Sequence, residues 1–549
     1  MGLPPMDFDA VLEKCGNFGR FQYILLLLFG FTNILSSLHY FAQTIISFTP
    51  EHWCYHEKLA NASFAEIRAV YAQTDNPKCT LLDDIIDGRP IVAEVGQCRK
   101  WIYEYEMGYE SVTSELNWVC EDTLQSAVGQ SLWFVGSVMG TVFFGFLADK
   151  IGRLPALILT TLTGATGDFL TSFVNSLPLF AIFRFISGLS TDTFFYLMYI
   201  MVFEYLSPQK RTLGLNLITG LFYCIGLAIS PWLAIWSGSW RTYLYIASVP
   251  ALIVLAYPIF ICESAQWLIA TKRYARAIKC LKYVAKLNKR EVSDEVFDEF
   301  KAYYQNKQNE ERKLKTNKDT FWGMFRTPRL RKFTIIMVLK SMFISLTFDV
   351  VSKNMEGMGT SPFILFSATS ISYILGGMTI ILLQNRIGRK GMAFSTLFMS
   401  AIIISTTGFM VALLDTEKHS TLLAIMVGLG RYGVVVSYEA EAQYASEFIP
   451  TTVRGRGIAN IHVAGFAFAS LSSYVIYLGY YYKPLPSVLM SIIALMGALL
   501  CLALPETMNQ KLPQTLKDGE EFARHQRWYY FLCFDRKKNT KEAVIADKF

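Results

Sequence analysis

Twelve apolar blocks, each about as long as a helix must be to cross a bilayer, leave this chain few folds to choose from. They run 22–46, 126–147, 155–176, 179–204, 213–235, 242–262, 333–352, 362–384, 391–413, 422–446, 456–480 and 484–504. In hydrocarbon the backbone N–H and C=O groups must be satisfied without water, so runs of this kind fold as helices. The expectation is an all-α polytopic membrane protein. Composition agrees: only 17% of the 549 residues are charged, against about a quarter in soluble domains. The first block is too long for a cleaved leader and lacks a small-residue cleavage site, so it reads as a retained span.

The net charge of +7 is distributed in a telling way. Lys and Arg crowd the short connections DKIGRLP, SPQKRT, QNRIGRK and PTTVRGR and the long segment 264–332. By the positive-inside rule these face the cytoplasm, and an even number of spans then places both termini there. The basic excess serves topology and meets lipid headgroups; no nucleic-acid partner is implied. Segment 47–125 falls outside, and it holds Cys54, Cys79, Cys98 and Cys120. Four cysteines in an oxidising compartment predict two disulfides, with three connectivities open. Asn61-Ala62-Ser63 is a glycosylation sequon in the same segment, which suits a plasma-membrane location. Cys15, Cys224, Cys262, Cys280, Cys501 and Cys533 read as free thiols on the cytoplasmic side or in the membrane.

The chain repeats itself. GFLADKIGRLP after span 2 answers LLQNRIGRKGM after span 8, and EYLSPQKR after span 4 answers EFIPTTVR after span 10. CESAQW after span 6 answers LPET after span 12. Three matched pairs in order divide the molecule into two six-span halves, an arrangement that transporters build around a midplane site. The expected organisation is a cytoplasmic N-terminus (1–21), a first half (22–262) carrying the external segment 47–125, and a cytoplasmic linker (263–332). A second half (333–504) and a cytoplasmic tail (505–549) complete it. Within the linker, AIKCLKYVAKLNKREV has apolar residues at helical spacing opposite lysines and predicts amphipathic helices on the membrane surface. Glu204 with Arg211, and Glu447 with Arg454, recur at the same seven-residue spacing at helix ends. They predict ion pairs of a cytoplasmic gate.

These motifs carry a resemblance. GFLADKIGR looks like the signature loop of the major facilitator superfamily. The long cysteine-bearing loop after span 1, ESAQW after span 6 and EFIPTTVR after span 10 resemble its organic cation/anion/zwitterion transporter branch, insect members above all. The resemblance implies that Asp149 and Arg153 belong to an interdomain charge cluster and that Arg184, in FRFISG, is a motif residue. Asn385 stands where the second half would repeat Asp149, and the loop has four cysteines where such relatives have six.

Ionisable residues inside a membrane are costly and point to function. Asp349 lies deep in span 7, Glu439 in span 10, and Asp192 on span 4 eight residues after Arg184. Alignment to the family puts the first two on the cavity, and Asp192 on the cavity side of its helix. Glu441, two residues from Glu439, lies about 200° around the helix, so only one of the two can easily face the cavity, and the resemblance favours Glu439. Asp168 in span 3 reads as a partner for a neighbouring helix, Lys340 as a snorkelling or acid-paired lysine, and His462 as an interhelical hydrogen-bonding residue. Anion-type relatives carry basic residues in helices 8 and 11; cation-type relatives carry an acid in helix 11, which aligns with Phe466, or in helix 8 near Tyr373. The acids of this chain have moved to helices 4, 7 and 10. Tyr40, Phe195, Tyr199 and Phe348 fall near expected pocket faces, and aromatic rings attract ammonium groups.

The sequence holds no nucleotide-binding Gly-rich loop, nucleophilic triad or metal-ligand cluster of recognisable spacing, so neither an enzyme nor a cofactor is implied. The expected activity is alternating-access transport, by a monomeric unit, of small organic cations or amine-bearing zwitterions such as biogenic amines or carcinine-like compounds. An organic-anion carrier and a non-transporting sensor are the alternatives.

Overall fold

The computed structural model describes residues 7–531 except 17, 75, 94–95, 207, 314–320, 451–452, 509, 511–512, 514, 523, 525 and 527–529. The side chain of Arg211 and all of Cys533 lie outside the described residues. The helices form twelve units: span 1 (Arg20–Ile46), span 2 (Leu124–Ile151), span 3 (Arg153–Thr171), span 4 (Leu177–Gly188 and Thr193–Tyr205), span 5 (Pro208–Ser237) and span 6 (Trp240–Phe260). The second six are span 7 (Pro328–Lys353), span 8 (Pro362–Thr369 and Ser372–Ile387), span 9 (Arg389–Leu413), span 10 (Ser420–Phe448), span 11 (Arg454–Ala469 and Ser472–Tyr477) and span 12 (Leu485–Ala503). Among the described residues, eleven of these are long and apolar enough to cross a membrane. Span 3 is the twelfth, diluted by threonines, glycines and Asp168. Its glycines serve packing instead: a Cβ at Gly167 would strike the backbone of Ser187, and one at Gly164 would strike the Ser190 hydroxyl.

Two spans depart from the expected continuous helix. Span 6 passes into 3₁₀ geometry over Val249–Ala256, where Pro250 removes a backbone donor and disfavours the α conformation of the residue before it. Span 4 breaks between Gly188 and Thr193, with Asp192 in left-handed geometry at φ 57°. That conformation is rare for a residue bearing a side chain, though least so for Asp and Asn.

The repeat read from the motifs has a structural counterpart. Gly152 (φ +118°) and Gly388 (φ +91°) make the tight turns between spans 2 and 3 and between spans 8 and 9. After each turn a distant glutamate receives the first backbone N–H groups of the next helix, where the helix dipole favours negative charge. Glu263 accepts from Arg153 N at 2.8 Å and Leu154 N at 3.1 Å; Glu506 accepts from Arg389 N at 2.9 Å and Lys390 N at 3.2 Å. Arg153 pairs with Asp149 at 2.6 Å, and Arg389 bonds Asn385 at 2.9 Å. Asn385 thus keeps the geometry of its counterpart without the charge. Ser264 Oγ donates to Glu204 as Thr507 Oγ1 donates to Glu447 (2.6 Å).

One end of the bundle is covered by the segment between spans 1 and 2. It is not purely helical: strands β1 (Glu51–Cys54) and β4 (Trp101–Glu104) pair antiparallel, as do β2 (Leu82–Ile86) and β3 (Arg89–Val92). Asp87 and Gly88, both with positive φ, make the two-residue turn between β2 and β3, the turn that a hairpin's twist favours. Helix Phe64–Tyr71 is closed by a Ser63–Glu66 capping box. Cys54 lies against Cys98 (Cα–Cα 5.6 Å) and Cys79 against Cys120 (5.8 Å), separations in the range a disulfide needs. Asn61 is exposed. Glu115 clamps this cover to the first half: Arg241 Nη2 donates to it at 2.7 Å and Trp240 Nε1 at 2.6 Å. At the opposite end, Tyr274–Leu287 and Asp294–Lys313 form the expected amphipathic helices, with Ala277, Leu281, Val284, Phe297 and Phe300 buried against the first half.

Candidate functional site

The two halves meet along a seam that starts beneath the cover. Ser131 Oγ of span 2 donates to Ser470 O of span 11 at 3.0 Å, and Ser367 Oγ of span 8 donates to Ala228 O of span 5 at 2.9 Å. Deeper in, Phe134 stacks on Phe466 (6.3 Å between centroids) and Tyr223 lies against Tyr373 (5.1 Å). Deepest is Tyr196 Oη with His462 Nε2, 3.3 Å apart. Among the described residues, hydrogen bonds and ring contacts between the halves stop at this level; those of the other end stay within one half. The seam is shut at the covered end.

Tyr40 of span 1 and Phe348 of span 7 both line this seam, 6.5 Å apart, and Phe348 stacks on Tyr438 at 4.9 Å and meets Tyr373 at 6.2 Å. Phe195 and Tyr199 lie lower on span 4, half-buried against Phe29 (5.9 and 6.1 Å). The expected aromatic lining is thus a connected set of rings, drawn from spans 1, 2, 4, 5, 7, 8, 10 and 11.

The four acids behave differently. Asp349 is fully buried and already occupied: Lys353 Nζ sits 2.6 Å from Oδ2, and Tyr40 Oη donates to Oδ1 at 3.1 Å. Lys353 also lies over the Phe134 ring at 5.3 Å. The sequence reading missed this lysine, although its spacing of four residues puts it beside Asp349 on the helix surface. Glu441 turns to span 7, where Lys340 Nζ lies 3.7 Å away. Glu439 and Asp192 are the exceptions. Both are half-buried, and neither side chain has a hydrogen bond or ion pair among the described residues. Glu439 faces span 8 beside Gly376 and interacts electrostatically with Tyr373. Asp192, presented by the break in span 4, interacts with Tyr40, Tyr196, Tyr223 and Tyr438.

One cation complements them. Arg431 of span 10 is 1% exposed, with its guanidinium over Phe366 (5.1 Å), Tyr373 (5.7 Å) and Phe41 (5.8 Å). One nitrogen donates to Thr369 Oγ1 at 2.7 Å; Nε and Nη2 have no partner among the described residues. Away from the seam, Asp168 joins three helices: Arg184 (2.7 Å), Ser187 (2.6 Å) and His39 (2.6 Å) converge on its carboxylate. His39 went unnoticed in the sequence. A lone histidine in an apolar run carries no local signal, and its partner is 129 residues away.

At the loop end the expected gate pairing differs. Besides Thr507 and Gln443, Glu447 accepts from Arg389 Nε at 3.1 Å, while Arg454 Nε donates to Ile449 O at 3.2 Å. Arg389 is nearer because the tight turn at Gly388 brings span 9 beneath span 10.

Comparison with known proteins follows this geometry. The family "Sugar (and other) transporter" matches residues 99–351. The organic cation transporter-like protein of Drosophila melanogaster is 24% identical, covering 98% of this chain and 97% of its own length. Organic anion transporter 3 of Oryctolagus cuniculus is 26% identical, covering 99% and 97%. In fold, the chain is similar to the inward-open xylose transporter XylE of E. coli, at a TM-score of 0.55 and 12% identity, over 90% of this chain and 99% of that one. Fold and full-length likeness together make the chain a multi-pass membrane protein with the major facilitator fold, similar over nearly its whole length to organic cation and organic anion transporters.

Proposed function

We propose that the protein carries small organic cations or amine-bearing zwitterions across the plasma membrane by alternating access. The observation that carries this reading is the pair of partnerless, half-buried carboxylates, Asp192 and Glu439, turned toward one connected set of tyrosine and phenylalanine rings. A carboxylate taken out of water is costly unless it is paired. A substrate ammonium about 4 Å away recovers about 4 kcal/mol at an effective dielectric constant of about 20, and ring faces add about 0.5–2 kcal/mol.

Arg431 favours the zwitterionic members of this class. Its two unpartnered nitrogens, Nε and Nη2, lie beside Tyr373, which links them to the ring set around Asp192 and Glu439. A carboxylate on the substrate satisfies them, whereas carcinine-like compounds and biogenic amines, which lack one, would engage only the acids and the rings. Asp349 is not the primary counter-ion in this conformation; with Lys353, Tyr40 and Phe134 it closes the covered end.

In this reading the covered end is extracellular. It is stapled by Cys54–Cys98 and Cys79–Cys120 and glycosylated at Asn61, both termini are cytoplasmic, and one chain is the transport unit. With the seam shut beneath the cover, the state is inward-facing. The loop-end residues Asp149, Arg153, Glu204, Arg211, Glu447 and Arg454 form the gate that rearranges when the cytoplasmic side closes. Uptake into proteoliposomes, with a panel of quaternary amines, amino acids and dicarboxylates, tests this. Saturable cation or zwitterion uptake that rises with a negative interior supports it; uptake of dicarboxylates alone assigns the protein to the anion carriers; binding without accumulation makes it a sensor.

A further inference from the structure

The free cysteines of the described residues differ in access. Cys15, Cys224 and Cys501 are buried, whereas Cys262 and Cys280 are half-buried. These two are also neighbours in space, although 18 residues apart in the chain. Cys262 lies just beyond span 6, in the segment that leads to helix Ala265–Ala270. Cys280 stands on the linker helix Tyr274–Leu287. That helix folds back because Ala277, Leu281 and Val284 bury their side chains against the first half. Tyr283 fixes its position by donating from Oη to Phe260 O, at the end of span 6, at 3.2 Å. Cys280 is three residues before Tyr283 and so a neighbour of it on the helix surface, which sets it against Cys262. Cys262 Sγ is 3.9 Å from Cys280 O and 3.6 Å from Tyr205 Oη, and the two thiols are within hydrogen-bonding reach of each other.

The surroundings make the pair unequal. Its hydrogen bond with Cys262, and then the Arg276 guanidinium one turn earlier on the same helix, hold the Cys280 thiol below its ordinary value, against burial and the charge of Glu263. The thiolate is the nucleophile of thiol chemistry, so Cys280 is the sulfur that attacks and Cys262 the one that resolves. The loop-end circuit of the first half runs through the neighbours of Cys262, Glu263 and Ser264, and makes no use of either sulfur.

From this placement we infer that Cys262 and Cys280 are a modification site, a dithiol that a hydroperoxide converts to a disulfide between the end of span 6 and the linker. The Cys280 thiolate attacks one oxygen of hydrogen peroxide, the O–O bond breaks, and hydroxide leaves and is protonated to water. The resulting sulfenic acid is attacked by Cys262 sulfur; the S–S bond forms, the S–O bond breaks, and a second water leaves with the Cys262 proton. Two thiols and one hydrogen peroxide thus become one disulfide and two waters, the sulfurs losing the two electrons that the peroxide gains. In the reading that puts this end of the molecule in the cytoplasm, where thiols are kept reduced, the dithiol is the resting form and a low-potential dithiol restores it. Span 6 and the linker helix both belong to the first half, so the bridge tethers the linker without joining the two halves.

The test uses purified full-length protein in detergent, treated with hydrogen peroxide, alkylated and digested with trypsin without reductant. The exposed Lys272 and Arg273 between the two cysteines let trypsin separate them. Wild type is expected to yield the peptides of Cys262 and Cys280 as one linked species after peroxide. Before peroxide, or after dithiothreitol, they should appear as two alkylated peptides. Cys262→Ser, oxidised in the presence of dimedone, should give no linked species and carry the sulfenic-acid adduct on Cys280. Wild-type peptides that stay separate after peroxide, either cysteine bridged instead to Cys15, Cys224 or Cys501, or no adduct on Cys280 in Cys262→Ser overturns the assignment. No substrate, membrane or orientation enters this assay, so its failure leaves the transport reading intact, and a failed uptake assay leaves the dithiol intact.

Discussion

Glu439→Gln separates a substrate carboxylate from a structural one. The side chain is half-buried and has no partner among the described residues, so its loss strands no buried cation, and the amide keeps its shape. An ammonium about 4 Å from the carboxylate gains about 4 kcal/mol at an effective dielectric constant of about 20. Water reaches this carboxylate, and Asp192 attracts the same charge, so about a third of that figure is assigned to Glu439. That third, about 1.4 kcal/mol, is about tenfold in affinity. Initial-rate uptake of a quaternary amine should therefore show a KM raised about tenfold. Surface expression and thermal stability should be unchanged or improved, because a desolvated charge has been removed. The reasoning is refuted by a KM that stays within twofold of wild type, or by a loss of stability showing that Glu439 holds helices together.

Asp349→Asn should behave oppositely, because it strands Lys353 and leaves a buried cation unpaired at a cost of about 3–5 kcal/mol. A fall in melting temperature, largely recovered by combining it with Lys353→Met, checks this; no fall refutes the pair. Arg431→Gln should weaken competition by zwitterions and spare that by simple amines, measured as inhibition constants against one labelled cation; equal loss of both would place Arg431 in the packing of the seam. In the cover, burial holds His52 down to about 4, against a bond from its Nδ1 to Pro50 O at 2.9 Å. The unfolded imidazole, near 6.5, takes its proton first as pH falls, so the cover keeps its full stability above about 6.5 and loses about 3 kcal/mol by pH 4. Limited proteolysis of segment 47–125 across that window should accelerate on acidification and flatten in His52→Gln. Non-reducing peptide mapping should recover Cys54 with Cys98 and Cys79 with Cys120; any other pairing contradicts the fold of the cover.

What the sequence made legible is what short-range rules govern. Long apolar runs located the spans, and repeated motifs gave the two halves, because each depends on neighbours along the chain. Glu441 was separated from Glu439 by helical rotation alone, and it does turn to Lys340. Long-range pairing was not legible. Glu447 was matched to Arg454 by spacing, yet Arg389 arrives from a helix 58 residues away and takes the bond. The aromatic positions Tyr40, Phe348 and Tyr373 were expected near one pocket, but not that their rings would touch. The strands of the cover were missed because runs of four or five residues between turns carry little periodicity. The break that presents Asp192 has no proline to announce it.

The placement of bonds at the two ends is what makes rocking motion physically plain. Among the described residues, the loop-end circuits stay within a half: Arg153 with Asp149 and Glu263 in one, Arg389 with Asn385, Glu447 and Glu506 in the other. Each circuit ties the turn between two spans to the end of a third or fourth, and separating the halves there would break none of these bonds. At the covered end bonds cross between halves and are individually modest, among them Tyr40 to Asp349, Ser131 to Ser470, Ser367 to Ala228, Thr49 N to Glu356 and Asn76 to Tyr480. Each neutral bond of this kind contributes about 0.5–1.5 kcal/mol net, more for one to a charged group. Asp349 and Lys353 both stand on span 7, so opening the covered end leaves them a neutral pair, whereas Asp192 and Glu439 have no side-chain hydrogen bond or ion pair among the described residues.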